Sequence, residues 1–239
     1  MALLMKNIIF EDKFIIVLDK PYNLVTMGQR GEDSLYSRTL LYLNKKKEHR
    51  LFAVHRLDKT TSGVVLFAKD KSAYEKLLLA FKKHYIKKEY VAITDSKIDE
   101  LFTGNWKKEG LPFLKFIKED GKEWLNITYP IHGIKTKSHV DVENGVASDT
   151  SVRIDRTNDK YTQLIIRLKT GRFHQIRTHL SFLGHPLVGD TLYGGPPTSF
   201  DRLFLHAREI TFTHPISKKK LHFASKLPAI FSKQMESNH

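Results

Sequence analysis

The sequence predicts an α+β domain in which strands outnumber helices. Short apolar runs bounded by turn residues recur along most of the chain, helical periodicity is clear in few places, and neither an internal repeat nor a linker interrupts the 239 residues. A doubly wound parallel sheet would instead alternate strands and helices throughout. The length suffices for one large domain or two small ones. Without a linker, one domain over 1–239 is expected.

The elements follow in order. Ile8 to Asp12 and Phe14 to Leu18 read as two short strands separated by a polar turn. Lys20-Pro21-Tyr22-Asn23 breaks the pattern, since proline donates nothing to a ladder. Residues from about Ser34 to Leu43 suit a helix, followed by the solvated Lys45-Lys46-Lys47-Glu48. Leu51 to Val54 is a third strand, and Val64 to Ala68 reads as a buried one. Asp70 to Tyr85 is the clearest helix. Ser72 and Glu75 have capping-box spacing. Ala73, Leu77, Leu78, Phe81 and Tyr85 recur at helical intervals, with Lys82 and Lys83 at the end that favours cations.

Glu89 to Ile93 is the next strand. From about Asp95 to Lys122 the periodicity weakens around Gly104, Gly110 and Gly121, which predicts a variable surface excursion. Ser148 to Ile154 and Gln163 to Leu168 read as paired strands joined through Asn158-Asp159. Phe173, Ile176, Leu180 and Leu183 predict a second helix starting after Gly171 and ended by Gly184-His185-Pro186. Gly189-Asp190 and Gly194-Gly195-Pro196-Pro197 mark tight turns. Closing strands are expected at Leu203 to Leu205, Ile210 to Phe212 and Leu221 to Phe223.

Lysine and arginine outnumber aspartate and glutamate by 40 to 26, a formal charge of +14. Such an excess suits a polyanionic partner, nucleic acid ahead of a membrane surface; the alternative is a lysine-rich solubilising surface. The absence of cysteine excludes disulfides, thiolate catalysis and cysteine-based zinc sites. No apolar run approaches the roughly 18 residues of a membrane span, and Ala2 to Lys6 lacks the form of a secretory signal. A soluble cytoplasmic protein is expected, in which the Asn126-Ile127-Thr128 sequon is accidental.

The run His55-Arg56-Leu57-Asp58-Lys59-Thr60-Thr61-Ser62-Gly63 sets a carboxylate among cations just before a buried strand. An aspartate in a loop ordinarily forms a turn or caps a helix. Here a strand-like backbone puts Arg56 on the same side as Asp58, and Lys59 adds charge. Nearby cations favour the ionised carboxylate, a competent nucleophile toward a sugar or base. The second cluster is Thr170-Gly171-Arg172-Phe173-His174-Gln175-Ile176-Arg177-Thr178-His179. At a spacing of three, His174 and Arg177 would share a helix face. Arg177 suits either a forked pair with Asp58 or a phosphate contact. His174, His179 and His185 lack the i, i+4 spacing of a zinc site, so no metal is expected. Tyr90, after Lys87-Lys88-Glu89, suits stacking on an unpaired base, or the ordinary packing of a strand tyrosine.

Five segments, in order, resemble the RluA-type pseudouridine synthases. Glu11-Asp12 through Asp19-Lys20-Pro21 is similar to that family's opening strand and lysine-proline turn. His55 to Gly63 resembles its H-R-L-D-x-x-T-S-G signature, and Lys88-Glu89-Tyr90-Val91-Ala92 its K-x-Y-x-A motif. Thr170 to Arg177 with Leu183 to Gly194 resembles T-G-R-x-H-Q-I-R…G-H-P-x-x-G-D-x-x-Y-G. Leu205-His206-Ala207 and Phe212-Thr213-His214-Pro215 resemble its L-H-A and T-H-P elements.

The resemblance spans about residues 7–228. It implies a mixed, mainly antiparallel sheet with flanking helices and a central catalytic cleft. It also implies an isomerase acting on uridine within RNA without metal or organic cofactor: the C1′–N1 bond breaks, the base turns and a C1′–C5 bond forms. By motif, Asp58 is the expected nucleophile, Tyr90 contacts the target base and Arg177 holds Asp58 through a salt bridge. Arg56 fills the space left by the flipped nucleotide. His55, Lys59, Arg172 and His174 join Arg56 as expected RNA contacts. The opening strand starts near residue 7, so no N-terminal S4 domain is expected, and substrate choice falls to the catalytic domain.

Asn144 to Thr150 departs from the family's G-K-x-A-x-T strand. The expected partner is ribosomal or transfer RNA, recognised through Asp95 to Lys122 and Lys45 to Lys47, by a monomer with no obligate protein partner. Two other functions compete. One is a non-catalytic RNA-binding or RNA-folding factor on the same scaffold. The other is a glycoside hydrolase, which needs a second acid, for which Asp190 is the distant candidate.

Overall fold

The computed structural model describes residues 6–29, 31–48, 50–95, 98–104 and 111–236. Two compact units emerge. One holds the chain up to Lys88 together with His206–Lys226; the other holds Glu89–Leu205 and the segment from Leu227. Each unit draws on segments far apart in sequence, which is why no linker is visible along the chain.

The first unit is built on β1 (Ile8–Glu11), β2 (Ile15–Lys20), β3 (Phe52–Ala53), β4 (Ser62–Ala68), β12 (Leu205–Thr213) and β13 (Lys220–Ala224). All seven residues of β4 are buried, and it is the centre of the sheet. β2 runs antiparallel along one edge; the other edge is shared by β3, at Phe67 and Ala68, and by β12, parallel at Ser62 and Gly63. Of the strands expected at Leu203 to Leu205 and Ile210 to Phe212, the second lies within a longer β12 that starts at Leu205, while Leu203 and Phe204 precede it; β13 pairs with β12. Asp12 makes the β1–β2 turn, its Oδ1 accepting the N–H groups of Phe14 (2.7 Å) and Ile15 (2.8 Å).

α1 (Leu35–Lys45) starts from a reciprocal box in which Ser34 and Ser37 each accept the other's backbone N–H. α2 (Lys71–Lys82) is capped by Asp70, whose carboxylate accepts the Ala73 N–H. Ser72, expected as the cap, lies inside the first turn. The cap must have extended backbone just outside the helix, and Asp70 has it, with φ −131° and ψ 145°. Ala73 and Leu77 pack onto Val17, Leu66, Ile86 and Phe212, whereas Tyr85 falls beyond the helix and is exposed.

The second unit carries an antiparallel sheet in the order β5-β11-β10-β7-β6. Its strands are β5 (Lys87–Thr94), β6 (Leu114–Glu119), β7 (Lys122–Ile127), β10 (Thr150–Thr157) and β11 (Thr162–Leu168). A separate hairpin joins β8 (Ile131–Ile134) to β9 (Lys137–Val140). The helices are α3 (Asp99–Phe102), α4 (Gln175–Phe182) and α5 (Ala229–Glu236). Trp124, Phe204 and Phe231 fill the core with Val91, Ile93 and Ile165.

Two expectations are corrected here. The excursion from Asp95 to Lys122 is partly regular: β6 and β7 form a hairpin turning at Asp120-Gly121, both with positive φ. Gly110 lies outside the described residues. The second helix begins at Gln175, because Gln175 Oε1 accepts from Thr170 Oγ1 (2.8 Å) and the Arg172 N–H (2.9 Å), which folds Thr170–Arg172 into a turn. Asn126 of the sequon is buried and bonded to Asp149 and Ser151. Among the described residues no helix is long and apolar enough to cross a membrane.

Candidate active site

In the first unit, the Asp58 segment is held from both sides. Thr26 Oγ1 donates to the Leu57 carbonyl (2.7 Å) and accepts the Leu57 N–H (3.0 Å). Lys20, fully buried, sends its ammonium to the carbonyls of Leu24 (2.7 Å), Pro21 (3.0 Å) and Lys59 (3.2 Å). The Asp58 carbonyl accepts the Thr61 N–H (3.1 Å), closing a turn into β4. Leu57 points inward, Asp58 is partly exposed, and Arg56 and Lys59 are exposed. A backbone pinned at positions 57 and 59 fixes the direction of the side chain between them.

The end of the signature is explained by β12. Gly63 has φ +115°, and a Cβ there would lie 2.1 Å from the Ala207 carbonyl oxygen. Ser62 Oγ and His206 Nδ1 meet at 2.9 Å. The S-G of one motif and the H-A of another are therefore one parallel contact.

His55 is anchored rather than mobile. Its Nε2 accepts the Leu66 N–H (2.9 Å), and the ring stacks on Phe81. Burial, with the Lys88 charge nearby, pushes its pKa down to about 3, so the ring is neutral at physiological pH. It holds β4 and brings no cation to a phosphate. Burial also lowers Lys88, to about 8. In the expected recognition cluster, Lys46 is paired with Glu11 (2.9 Å) and lies over the Tyr42 ring. Buried Lys69 bridges Glu11 and Glu48. Much of that charge serves the fold.

In the second unit, Tyr90 is buried on β5 opposite Ile166 of β11. Arg177, on α4 and 7% exposed, makes a two-pronged pair with Asp190: Nε to Oδ2 and Nη2 to Oδ1, both 2.7 Å. Its guanidinium carbon lies 4.8 Å from the centre of the Tyr193 ring. The Tyr193 hydroxyl accepts the Ser138 N–H (2.7 Å) and meets His174 Nδ1 (3.0 Å). His174 has left-handed backbone (φ 54°) just outside α4 and stacks on Phe173. The shared helix face expected for His174 and Arg177 is therefore not formed. Arg172 is exposed, its Nε donating to the Ala147 carbonyl (3.1 Å).

Gln175 and His179 of α4 are buried and hydrogen-bonded. Gln175 Nε2 donates to the Asp149 carbonyl and to Thr150 Oγ1. Thr150 Oγ1 meets His179 Nδ1, and His179 Nε2 donates to the Tyr129 carbonyl, each at 2.9 Å. Burial pushes the His179 pKa down to about 4. These bonds set α4 against β10. No group of three metal-ligating side chains occurs among the described residues.

Residues 14–182 match the family described as RNA pseudouridylate synthase. The chain belongs to the RNA pseudouridine synthases. Its relatives place it with the RluA type. It is 32% identical to Ribosomal large subunit pseudouridine synthase D of Haemophilus ducreyi (strain 35000HP / ATCC 700724), over 97% of this chain and 70% of the relative. It is 29% identical to the Uncharacterized RNA pseudouridine synthase YjbO of Bacillus subtilis (strain 168), over 98% of this chain and 77% of the relative. The solved structure titled Human RNA Pseudouridylate Synthase Domain Containing 4 shares the fold. Its TM-score is 0.72 at 23% identity, covering 98% of this chain and 94% of that one. The synthase is accordingly an isomerase acting on uridine in RNA.

For a synthase, Asp190 takes a different place from the hydrolase acid considered above. Both its oxygens accept from Arg177 and it is 1% exposed, so they are engaged by the guanidinium. The sequence pattern missed Lys20, Thr26, Gln175 and Tyr193 as supports. Lys20 carried a signal: a lysine ending the buried strand Ile15-Ile16-Val17-Leu18 must bring its ammonium to carbonyls.

Proposed function

We propose that the synthase isomerises one specific uridine in structured RNA, with Asp58 as nucleophile and the nucleotide flipped out of its stack. Ribosomal RNA is the first substrate to test, because several relatives are named as large-subunit ribosomal enzymes; transfer RNA is the second. A stacked uridine cannot offer C1′ and C5 to an enzyme, so it is extruded at a cost of about a few kcal/mol. Contacts to the RNA backbone, and Arg56 in the vacated space, offset that cost. Tyr90 contacts the extruded base. Arg177 is the counter-cation that keeps Asp58 ionised. Lys59 and Arg172, both exposed, bind phosphates, and His174 contacts RNA.

One observation carries this assignment: Asp58 is a partly exposed carboxylate on a backbone pinned at Leu57 by Thr26 and at Lys59 by Lys20. A nucleophile held in this way loses little entropy on reaching its target. The test is release of tritium from 5-labelled uridine in ribosomal and transfer RNA, since C5 gives up its hydrogen as the new bond forms. Asp58→Ala is expected to release none above background. Equal release by wild type and variant would reject the nucleophile, and full rescue of a deletion strain by Asp58→Ala would favour a non-catalytic RNA-folding factor.

A further inference from the structure

The Arg177 guanidinium is restrained in two independent ways, and both restraints come from one short turn. Asp190 takes its Nε/Nη2 edge with two bonds of 2.7 Å, which fixes the plane and the in-plane rotation. The Arg177 guanidinium carbon lies over the Tyr193 ring, 4.8 Å from the ring centre. Asp190 precedes and Tyr193 ends the 3₁₀ turn Thr191–Tyr193, whose geometry is itself locked: the Asp190 carbonyl accepts the N–H groups of Tyr193 (3.1 Å) and Gly195 (2.8 Å). The turn cannot shift toward its neighbour, because Gly189 (φ +79°) lies so near the Arg202 carbonyl that a Cβ would stand 1.8 Å away. The Tyr193 ring is fixed at its far end by Ser138 of β9 and by His174.

A buried ion pair roughly breaks even in stability against apolar side chains of similar size. Its distinctive product is orientation. A guanidinium offers five N–H donors in a rigid fork, and two are spent on Asp190. We infer that Asp190 and Tyr193 are positioning residues for the isomerisation, holding the Arg177 guanidinium in one orientation. This rests on the assignment of Arg177 as counter-cation of Asp58.

The experiment measures kcat, KM and the pH profile of kcat for Asp190→Asn and Tyr193→Phe, alongside Asp58→Ala and Arg177→Ala. Asp190→Asn turns one acceptor into a donor facing Arg177. It is expected to lower kcat about 10²-fold, as a misplacement of about 1 Å does, with KM changed less than about threefold. The acid limb of the kcat profile should move to higher pH, since an ill-aimed cation leaves the Asp58 carboxylate easier to protonate. In an Arg177→Ala background, Asp190→Asn should add little further loss, because it acts only through Arg177.

Tyr193→Phe keeps the ring and the Asp190 pair while removing the Ser138 and His174 bonds. It decides the matter if Asp190→Asn does not fold, and is expected to lower kcat about five- to tenfold at unchanged KM. Wild-type kcat in a folded Asp190→Asn or Tyr193→Phe, or an unmoved acid limb, overturns the inference. If those variants are active while Asp58→Ala and Arg177→Ala are dead, the positioning role alone fails. If Asp58→Ala is active, the nucleophile assignment fails with it.

Discussion

His55 and His179 are neutral at pH 7 for the same reason: burial penalises the imidazolium, and each ring has a nitrogen engaged in accepting a hydrogen bond. Their folded pKa values, about 3 and about 4, lie below the ordinary histidine value of about 6.5. Below about pH 6.5 the unfolded chain binds protons that the folded chain refuses, so stability falls as pH falls. The loss levels off near pH 4 for His179 and near pH 3 for His55. The urea midpoint is therefore expected to drop between pH 7 and pH 5, a window above the carboxylate range, and His179→Gln should flatten that slope. A midpoint unchanged over the window would mean that both rings protonate within the fold. Neither ring can supply a neutral-pH limb in the rate profile.

The decisive contact between elements is β4 against β12. Gly63→Ala combines a positive φ that costs about 1–3 kcal/mol with a Cβ 2.1 Å from the Ala207 carbonyl, where overpacking adds roughly 1–3 kcal/mol. Urea unfolding should show a loss of about 3–5 kcal/mol, and a loss below about 1 kcal/mol would show that β12 can move aside at little cost. This contact also marks how far the sequence could be read. The strands at Ile15 to Leu18 and Val64 to Ala68 and the helix at Asp70 were legible because apolar spacing is a local property. So were the motifs holding Asp58, Tyr90 and Arg177. That Ser62-Gly63 abuts His206-Ala207 was not, because register between distant strands leaves no mark in either segment. Asp190 was visible only as an unassigned acid until its two-pronged pair with Arg177 appeared. The β6–β7 hairpin was hidden because exposed Lys115, Lys118 and Lys122 give it the composition of a loop, although Asp120-Gly121 is a hairpin signal.

At the scale of the whole molecule, the governing quantity is the charge of +14. Part of it is already committed: Lys46 to Glu11, Lys69 to Glu11 and Glu48, Arg167 to Glu89 and Asp120, and Arg177 to Asp190. With 40 cations against 26 acids, a surplus of cations remains to meet solvent or a polyanion however the pairs form. If RNA phosphates are that partner, binding releases counterions, and log K falls linearly with log salt at about −0.7 to −0.9 per phosphate neutralised. For about six phosphates the affinity for substrate RNA should fall on the order of 10³-fold between 50 and 200 mM salt. Filter binding with Asp58→Ala, which removes turnover, reads this directly, and kcat of the wild type at saturating RNA should stay nearly constant over the same range. Exposed Lys59→Ala and Arg172→Ala should each reduce the slope by about one phosphate. A flat salt dependence would assign the surplus to a solubilising surface, and would move recognition to uncharged contacts around Tyr90.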